Sequence, residues 1–260
     1  MEVIIRPTTE DATELVAQLI ADKIKAKPSL CMGLATGSTM ESVYAKLVKR
    51  HKAGLDFSLV RTYNLDEYIG LAPENPNSYR HYMNELLFKH INVDMRNTHL
   101  PCGVADDLRK ACELYEESIC QNGGIDLQLL GIGRSGHIGF NEPLSSFQSR
   151  TREKSLTPTT IAQNSPLFDP PESMPRRALT MGVKTILESR QAIMLVTGAA
   201  KADILAKAVE GPMTSMISAT ALQMHPNCIV VADEAAAEKL EARDYYNWIF
   251  YNEPKWENYR

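Results

Sequence analysis

The sequence Gly131-Ile132-Gly133-Arg134-Ser135-Gly136-His137-Ile138-Gly139-Phe140-Asn141-Glu142-Pro143 is the stretch from which the fold can be predicted. It directly follows residues 125–130, an apolar run that predicts a buried strand. Open α/β sheets place their chemistry in loops at the carboxyl ends of such strands. Glycines are typical of loops where the backbone takes a positive φ or lets a ligand come close. We therefore predict a catalytic loop at the carboxyl edge of a parallel sheet.

A dinucleotide-binding site is the alternative interpretation of this stretch. Gly131, Gly133 and Gly136 match the pattern G-x-G-x-x-G, which in that class opens a helix and is followed about 20 residues later by an acidic residue. Here Pro143 disfavours helix at Glu142. The region where the acidic residue is expected, residues 150–154, is mainly basic. The sequence favours the catalytic loop over a nicotinamide cofactor site.

Composition narrows the class of protein. A length of 260 residues with 44% hydrophobic residues fits one large α/β domain, which we take as residues 1–260. A net charge of -4 argues against non-specific nucleic-acid binding. No apolar run reaches the roughly 18 residues of a membrane span, and the N-terminus lacks a signal-peptide pattern. Five scattered cysteines without a C-x-x-C pair predict reduced thiols in a cytoplasmic protein, and the histidines show no metal-ligand spacing.

Strand and helix patterns alternate along the chain. This alternation predicts a doubly wound, mostly parallel, Rossmann-like sheet with helices on both faces. Residues 144–177 show no clear strand, and we interpret them as a lid over the pocket. The aromatic tail of residues 243–260 is expected to pack against its own chain or a neighbouring one. The predicted strands are residues 2–5, 30–34, 59–64, 125–130, 192–196 and 228–232, and the predicted helices include residues 78–90, 106–121, 178–187, 201–209 and 235–240.

Three further segments carry residues suited to chemistry. The loop Thr36-Gly37-Ser38-Thr39 joins a strand to a helix, which is typical of an anion site but equally of a well-capped turn. Asp66-Glu67 follows the next strand, where a carboxylate suits proton abstraction, although such a pair more often caps a helix. Lys201 lies in a predicted first helical turn, a position that the helix dipole disfavours unless an anion binds there.

The carboxyl ends of parallel strands meet at one edge, so these segments should converge on His137 and Glu142. A phosphate anchor, a carboxylate base and an imidazole together suggest chemistry on a phosphorylated sugar. Aldose–ketose interconversion uses these parts and requires neither a metal ion nor a redox cofactor.

Segments along nearly the whole chain resemble the glucosamine-6-phosphate deaminase family in their order and spacing. The resemblance implies a homo-oligomeric Rossmann-like enzyme, commonly hexameric, that forms fructose 6-phosphate and ammonia. It implies that Asp66 moves a proton between C2 and C1, that His137 opens the ring with Glu142 as its partner, and that Lys201 and the 36–39 loop hold the phosphate. The segments are residues 34–39, 64–68, 133–143, 149–152 and 178–182.

The resemblance also implies an allosteric site for N-acetylglucosamine 6-phosphate between subunits. Such a site also uses the N-terminal amine of a neighbouring chain, here that of Met1. The positions that match this site are Ser145, Ser146, Arg152, Lys154 and Tyr245.

Two departures from the family pattern affect the predicted site. Ser135 stands where the family has Asp or Asn beside the histidine, and Pro166 stands where a lid arginine grips the phosphate. Arg176 and Arg177 are the candidates to replace that arginine. The departures leave two alternatives open: a related deaminase or isomerase for another phosphosugar, or a catalytically weak paralogue that binds sugar phosphates.

Overall fold

The computed structural model describes residues 1–260, with ten strands and eight α-helices. The strands are β1 (Glu2–Arg6), β2 (Cys31–Leu34), β3 (Arg61–Asn64), β4 (Asp66–Tyr68), β5 (Thr98–His99), β6 (Leu127–Leu130), β7 (Arg152–Ser155), β8 (Arg177–Thr180), β9 (Ala192–Val196) and β10 (Cys228–Asp233). The helices are α1 (Thr9–Ala26), α2 (Ser38–Lys52), α3 (Tyr79–Leu86), α4 (Leu108–Gln121), α5 (Pro158–Asn164), α6 (Val183–Leu187), α7 (Ala202–Val209) and α8 (Arg243–Asn252). None of the helices is long and apolar enough to span a membrane.

Seven strands form the main sheet, in the order β1-β10-β9-β6-β2-β3-β5. All of its pairings are parallel, and both β9 and β10 are buried along their whole length. The chain winds from β2 through β3 to β5 in one direction and from β6 through β9 to β10 in the other. The winding direction therefore reverses between β2 and β6, which is where open α/β sheets form a crevice for ligands. The predicted fold class is confirmed.

Local sequence explains how the helices begin near this crevice. The Thr8 side chain accepts a hydrogen bond from the Asp11 N–H and so caps α1, as its sequence predicts. The start of α2 differs, because Gly37 at φ 112° precedes it and no side chain caps it. Unpaired N–H groups at the first turn of α2 therefore face the carboxyl end of β2.

A second, antiparallel sheet of order β4-β8-β7 lies beside the main one. It corrects three predictions. Residues 144–177 contain the strand β7, and residues 178–187 form the end of β8 before the short helix α6. Asp66-Glu67 also belongs to a strand and not to a loop. Strand β7 has no local sequence pattern that predicts it, because its four residues, Arg-Glu-Lys-Ser, are polar and are half-buried only at alternate positions. It is stabilised by pairing with β8, which the chain reaches 21 residues later.

Residues 235–240 form turns, although an alanine-rich sequence predicts a helix there. The Asp233 carboxylate accepts hydrogen bonds from the N–H groups of Ala236 and Gly198 at 2.8 and 3.0 Å. This carboxylate fixes a turn at the end of β10 and ties it to the neighbouring loop after β9. A specific tertiary contact thus overrides the local helix propensity.

The aromatic tail packs against its own chain. Phe250 and Trp256 are buried, and the Trp256 indole N–H donates to the Glu2 carboxylate at 3.1 Å. Tyr259 donates to Asp22 at 3.1 Å. The tail therefore covers β1, which is the edge strand of the main sheet.

The two tryptophans of the chain give a direct test of this packing. Trp256 is 3% exposed and Trp248, on α8, is 59% exposed. Trp256→Ala should lower the free energy of unfolding by about 3–5 kcal/mol, because it leaves a cavity and removes a buried aromatic contact. Chemical denaturation followed by far-ultraviolet circular dichroism measures the change.

Trp248→Ala is the matched control and should change the unfolding free energy by less than about 0.5 kcal/mol. Equal effects of the two substitutions would contradict the packing of the tail against β1.

Candidate active site

A cavity of about 820 Å³ opens at the reversal between β2 and β6. Loops that follow β2, β6 and β9 line it, together with β4 and residues of α5. Seven of the predicted site residues reach its surface. They are Thr36, Gly37, Ser38, Thr39, Asp66, His137 and Lys201.

Asp66 is a buried carboxyl group at the wall of this cavity, 5% exposed. It begins β4, where it pairs with Thr180 of β8. Burial, and to a lesser degree the charge of the neighbouring Glu67, raises the pKa of Asp66 from its ordinary value of 3.8 to about 8. A carboxyl group of this pKa accepts a proton from carbon more readily than an ordinary one.

Glu67 is buried as well but serves the backbone. Its carboxylate accepts hydrogen bonds at 2.9 Å from the N–H groups of Tyr68, Tyr79 and Arg80. It therefore caps the start of α3, and it does not line the cavity. Each interpretation of the Asp66-Glu67 pair applies to one of its residues: Asp66 lines the cavity, and Glu67 caps a helix.

The His137 ring is fixed on one side by two neighbours. Its Nδ1 lies 2.8 Å from the Ser135 Oγ and 3.1 Å from the Glu142 Oε2. Because a carboxylate only accepts hydrogen bonds, Nδ1 carries the hydrogen. Nε2 has no protein partner and is the nitrogen available to a ligand. The ring lies so close to Gly133 that a Cβ there would stand 2.1 Å from Nε2, so only glycine fits.

Glu142 joins the histidine to α5, a helix that contributes residues to the cavity wall. Its Oε1 accepts hydrogen bonds from the Thr157 N–H and Oγ1 at 3.1 and 3.2 Å, at the start of α5. Burial acts to raise the pKa of Glu142, but the hydrogen bonds of His137 and Thr160, the charge of His137 and the Thr157 N–H together lower it to about 2. The carboxylate thus stays charged and holds the imidazole in one orientation.

Lys201 lines the same cavity as the 36–39 loop. Its ammonium donates to the Ile132 carbonyl at 2.7 Å, which draws the side chain to the loop after β6. Burial, and then the charge of Arg134, lowers the pKa of Lys201. The residues at the uncapped start of α2 line the same cavity. An anion is the ligand that both features attract.

The residues predicted to form an allosteric site are only partly brought together. Arg152 donates to the Ser145 Oγ at 3.0 Å and to the Asn141 Oδ1 at 2.9 Å. Lys154 lies two residues further along β7, and Ser146 is exposed beside Ser145. Tyr245 is separate from them, since it lies exposed on α8 with the tail.

The structure does not support the two arginines suggested as replacements at Pro166. Neither Arg176 nor Arg177 lines the cavity, and Arg177 pairs with Glu153 at 2.6 Å. The residues that the α5 segment contributes to the cavity are uncharged: Thr160, Gln163, Asn164, Leu167 and Phe168.

Sequence reasoning also missed a cation. Arg134 lines the cavity, within the stretch that predicted the fold. Its position between Gly133 and Ser135 was the available signal, because it is the only cationic residue of that glycine-rich loop. No group of three or more His, Cys, Asp and Glu side chains is placed to hold a metal ion.

Comparisons with known proteins agree with this geometry. A family model described as glucosamine-6-phosphate isomerases/6-phosphogluconolactonase matches residues 7–231. A glucosamine-6-phosphate deaminase of Hahella chejuensis is 50% identical over 250 residues, covering 96% of this chain and 95% of the relative. The deaminase of Rhodopirellula baltica is 49% identical over 244 residues, covering 94% and 97%.

Solved structures give the same result. A structure described as a monomeric glucosamine-6-phosphate deaminase superposes with a TM-score of 0.90 at 42% identity, covering 92% of this chain and all of the other. A 6-phosphogluconolactonase of Trypanosoma brucei superposes with a TM-score of 0.74 at 20% identity, which is a likeness of fold alone.

The raised pKa of Asp66 has a consequence for stability. Between about pH 4 and pH 8 the folded protein holds a proton at Asp66 that the unfolded chain releases. Stability therefore falls as pH rises through this window. Asp66→Asn replaces the titrating carboxyl group with an amide and so removes this pH dependence. The variant should therefore gain stability relative to the original protein as pH rises from 5 to 9. Thermal melting at both pH values measures the gain.

Asp106→Asn, at an exposed position, is the control and should show the same difference from the original protein at both pH values. A pH-independent difference for Asp66→Asn as well would show that Asp66 is ionised at neutral pH in the folded state.

Proposed function

The chain belongs to the family of glucosamine-6-phosphate isomerases and 6-phosphogluconolactonases, and from that premise we propose how its active site works. Its function is aldose–ketose isomerisation with deamination, which converts glucosamine 6-phosphate and water to fructose 6-phosphate and ammonia. One observation carries the mechanism: a buried carboxyl group of raised pKa shares a cavity with an imidazole held by a second carboxylate.

The phosphate binds at the α2 end of the cavity. The unpaired N–H groups after Gly37, the hydroxyls of the 36–39 loop and the Lys201 ammonium all point to an anion there. This anchor fixes the sugar so that its C1 and C2 reach the other end of the cavity, where Asp66 and His137 lie.

Ring opening is the first chemical step, and His137 carries it out. Its free Nε2 takes the proton of the anomeric hydroxyl, and the imidazolium returns a proton to the ring oxygen as the C1–O5 bond breaks. Glu142 stabilises the imidazolium because its charge lies at Nδ1. The Ser135 hydroxyl forms a further hydrogen bond with Nδ1. Residue 135 is uncharged in this chain, but the imidazole still has a carboxylate partner in Glu142.

Asp66 then moves a proton between carbons. In its ionised form Asp66 removes the C2 proton of the open aldehyde, and His137 passes one proton of the substrate ammonium group to O1 through Nε2, which gives a neutral enolamine. The Asp66 carboxyl group returns the proton to C1, which gives a 2-imino sugar. Water adds at C2 and ammonia leaves, so fructose 6-phosphate forms. Burial of Asp66 keeps water away from the transferred proton.

The uncharged lining contributed by the α5 segment favours a second candidate. An enzyme without a lid cation could prefer another hexosamine phosphate or phosphosugar, because fewer charges grip the phosphate from that side. The catalytic geometry argues against a weak sugar-phosphate-binding paralogue, since Asp66, His137 and Glu142 keep an arrangement that ligand binding alone does not need.

An anion bound at Arg152 would act on the catalytic loop through the side chain of Asn141. The Arg152 guanidinium has no carboxylate partner, and it donates to Asn141. Asn141 in turn donates to the carbonyls of Ile138 and Met181 at 2.9 and 2.8 Å. These contacts support N-acetylglucosamine 6-phosphate as an allosteric ligand at Ser145, Ser146, Arg152 and Lys154. Tyr245 would join the site only from a neighbouring copy in a homo-oligomer.

The cytoplasm is the proposed compartment. All five cysteines are free thiols, and two of them, Cys102 and Cys120, are exposed. Exposed free thiols are typical of proteins in a reducing environment.

Ammonia release from glucosamine 6-phosphate tests the proposed function directly. The original protein should release ammonia and fructose 6-phosphate in equal amounts. Asp66→Asn should lower turnover about a hundred- to ten-thousandfold while it leaves sugar-phosphate binding largely intact, because it removes the base and preserves the shape. Coupled assays of both products and isothermal titration calorimetry measure the two effects.

Asp106→Asn is the control here too. Full turnover by Asp66→Asn would remove Asp66 from the role of base. Turnover with a different hexosamine phosphate but not with glucosamine 6-phosphate would favour the second candidate.

The allosteric proposal has its own test. N-acetylglucosamine 6-phosphate should raise the rate at subsaturating substrate, and Arg152→Gln should lose this response because it removes the cation that binds the effector. Arg177→Gln, on the adjacent strand, is the matched control and should keep the response. A response that survives in Arg152→Gln would contradict the site.

A further inference from the structure

We propose that Arg134 binds the substrate phosphate together with Lys201 and so sets the preference of the enzyme for phosphorylated sugars. The inference rests on the proposed function, and it adds a residue that the resemblance to the family did not supply.

Arg134 is positioned by a tight turn in the catalytic loop. The Gly136 N–H donates to the Gly133 carbonyl at 3.0 Å, so Arg134 and Ser135 occupy the two central positions of the turn. The Ser135 side chain contacts His137, and the Arg134 side chain lines the cavity. One turn thus carries both a residue that orients the imidazole and a cation that faces the ligand space.

The charges along the cavity wall indicate that a bound phosphate needs a second cation beside Lys201. A phosphate monoester carries a charge of about −1.5 to −2 at pH 7. Lys201 supplies a single positive charge, and the Ile132 carbonyl already takes one of its hydrogens. Glu41 lines the same cavity, in the first turn of α2, with a negative charge. Arg134 is the only arginine among the residues that line the cavity.

Arg134 has no partner in the protein. Some exposed arginines of the chain bind carboxylates: Arg150 pairs with Glu188 at 2.5 Å and Arg190 with Asp126 at 3.1 Å. Arg134 makes no ion pair or side-chain hydrogen bond, yet its charge acts on Lys201. Two cations that repel each other across a cavity form a site that a dianion stabilises, because it satisfies both.

The segment around α5 supplies no cation that could bind the phosphate in place of Arg134. Its cavity-lining residues are uncharged, Pro166 provides no cation, and Arg176 and Arg177 lie outside the cavity. A guanidinium on the loop after β6 would bind the phosphate without any movement of that segment.

The experiment compares Arg134→Gln and Arg134→Lys with Arg176→Gln, an exposed arginine outside the cavity that serves as the matched control. Steady-state ammonia release from glucosamine 6-phosphate gives KM and kcat for each protein. Loss of one charged hydrogen-bonding partner should raise KM about ten- to a hundredfold in Arg134→Gln and leave kcat within about threefold. Arg134→Lys should recover part of the affinity, and Arg176→Gln should match the original protein.

A second readout uses inorganic phosphate alone, with its affinity measured by isothermal titration calorimetry. Arg134→Gln should weaken phosphate binding by a similar factor. Unchanged KM and unchanged phosphate affinity in Arg134→Gln would overturn the inference. A fall in kcat with unchanged KM would also overturn it, because that pattern assigns Arg134 to the support of His137.

The two readouts separate this inference from the proposed function. If the original protein releases no ammonia from glucosamine 6-phosphate, the proposed function fails. Phosphate binding that depends on Arg134 would still uphold the inference in that case, and phosphate binding that ignores Arg134 would overturn it.

Discussion

The active site depends on the contacts of Thr180, a residue whose side chain is buried. Thr180 pairs with Asp66 on one side and with Arg152 on the other, in the middle of the second sheet. Its Oγ1 accepts a hydrogen bond from the Phe140 N–H at 3.0 Å, within the catalytic loop. The residue therefore joins Asp66, the proposed base, to the loop that carries His137 and to Arg152 of the proposed effector site. The position of Asp66 relative to His137 follows from these bonds and not from the main sheet alone.

The main sheet contributes a different constraint. Its loops after β2, β6 and β9 meet only because the winding direction reverses between β2 and β6. The 36–39 loop and Lys201 both line the cavity at this reversal and form its proposed anion-binding part. The second sheet adds Asp66, and the loop after β6 of the main sheet adds His137. The proposed proton-transfer groups therefore come from both sheets, whereas the proposed phosphate anchor comes from the main sheet alone.

Sequence reasoning could predict the parts of this design that leave a local pattern. The strands β9 and β10 are buried on both faces, so they appear as continuous apolar runs, and the glycines of the catalytic loop mark where His137 packs closely. Strand β7 left no such pattern, because its polar residues are stabilised only by a partner strand distant in sequence. The division of roles between Asp66 and Glu67 was equally beyond local inference, since it depends on which carboxylate meets the start of α3.

The shared carboxylate of Glu142 has a consequence for motion. One of its oxygens binds the imidazole and the other binds the start of α5, and its low pKa keeps both bonds in place throughout the neutral range. The first turn of α5 is therefore connected to His137 through Glu142. At the other end of α5, the Asn164 amide donates to the Tyr68 hydroxyl at 3.1 Å, and Phe168 packs against the Tyr68 ring. A movement of this segment away from the cavity would therefore break contacts at one end of the helix or the hydrogen bonds of Glu142 at the other.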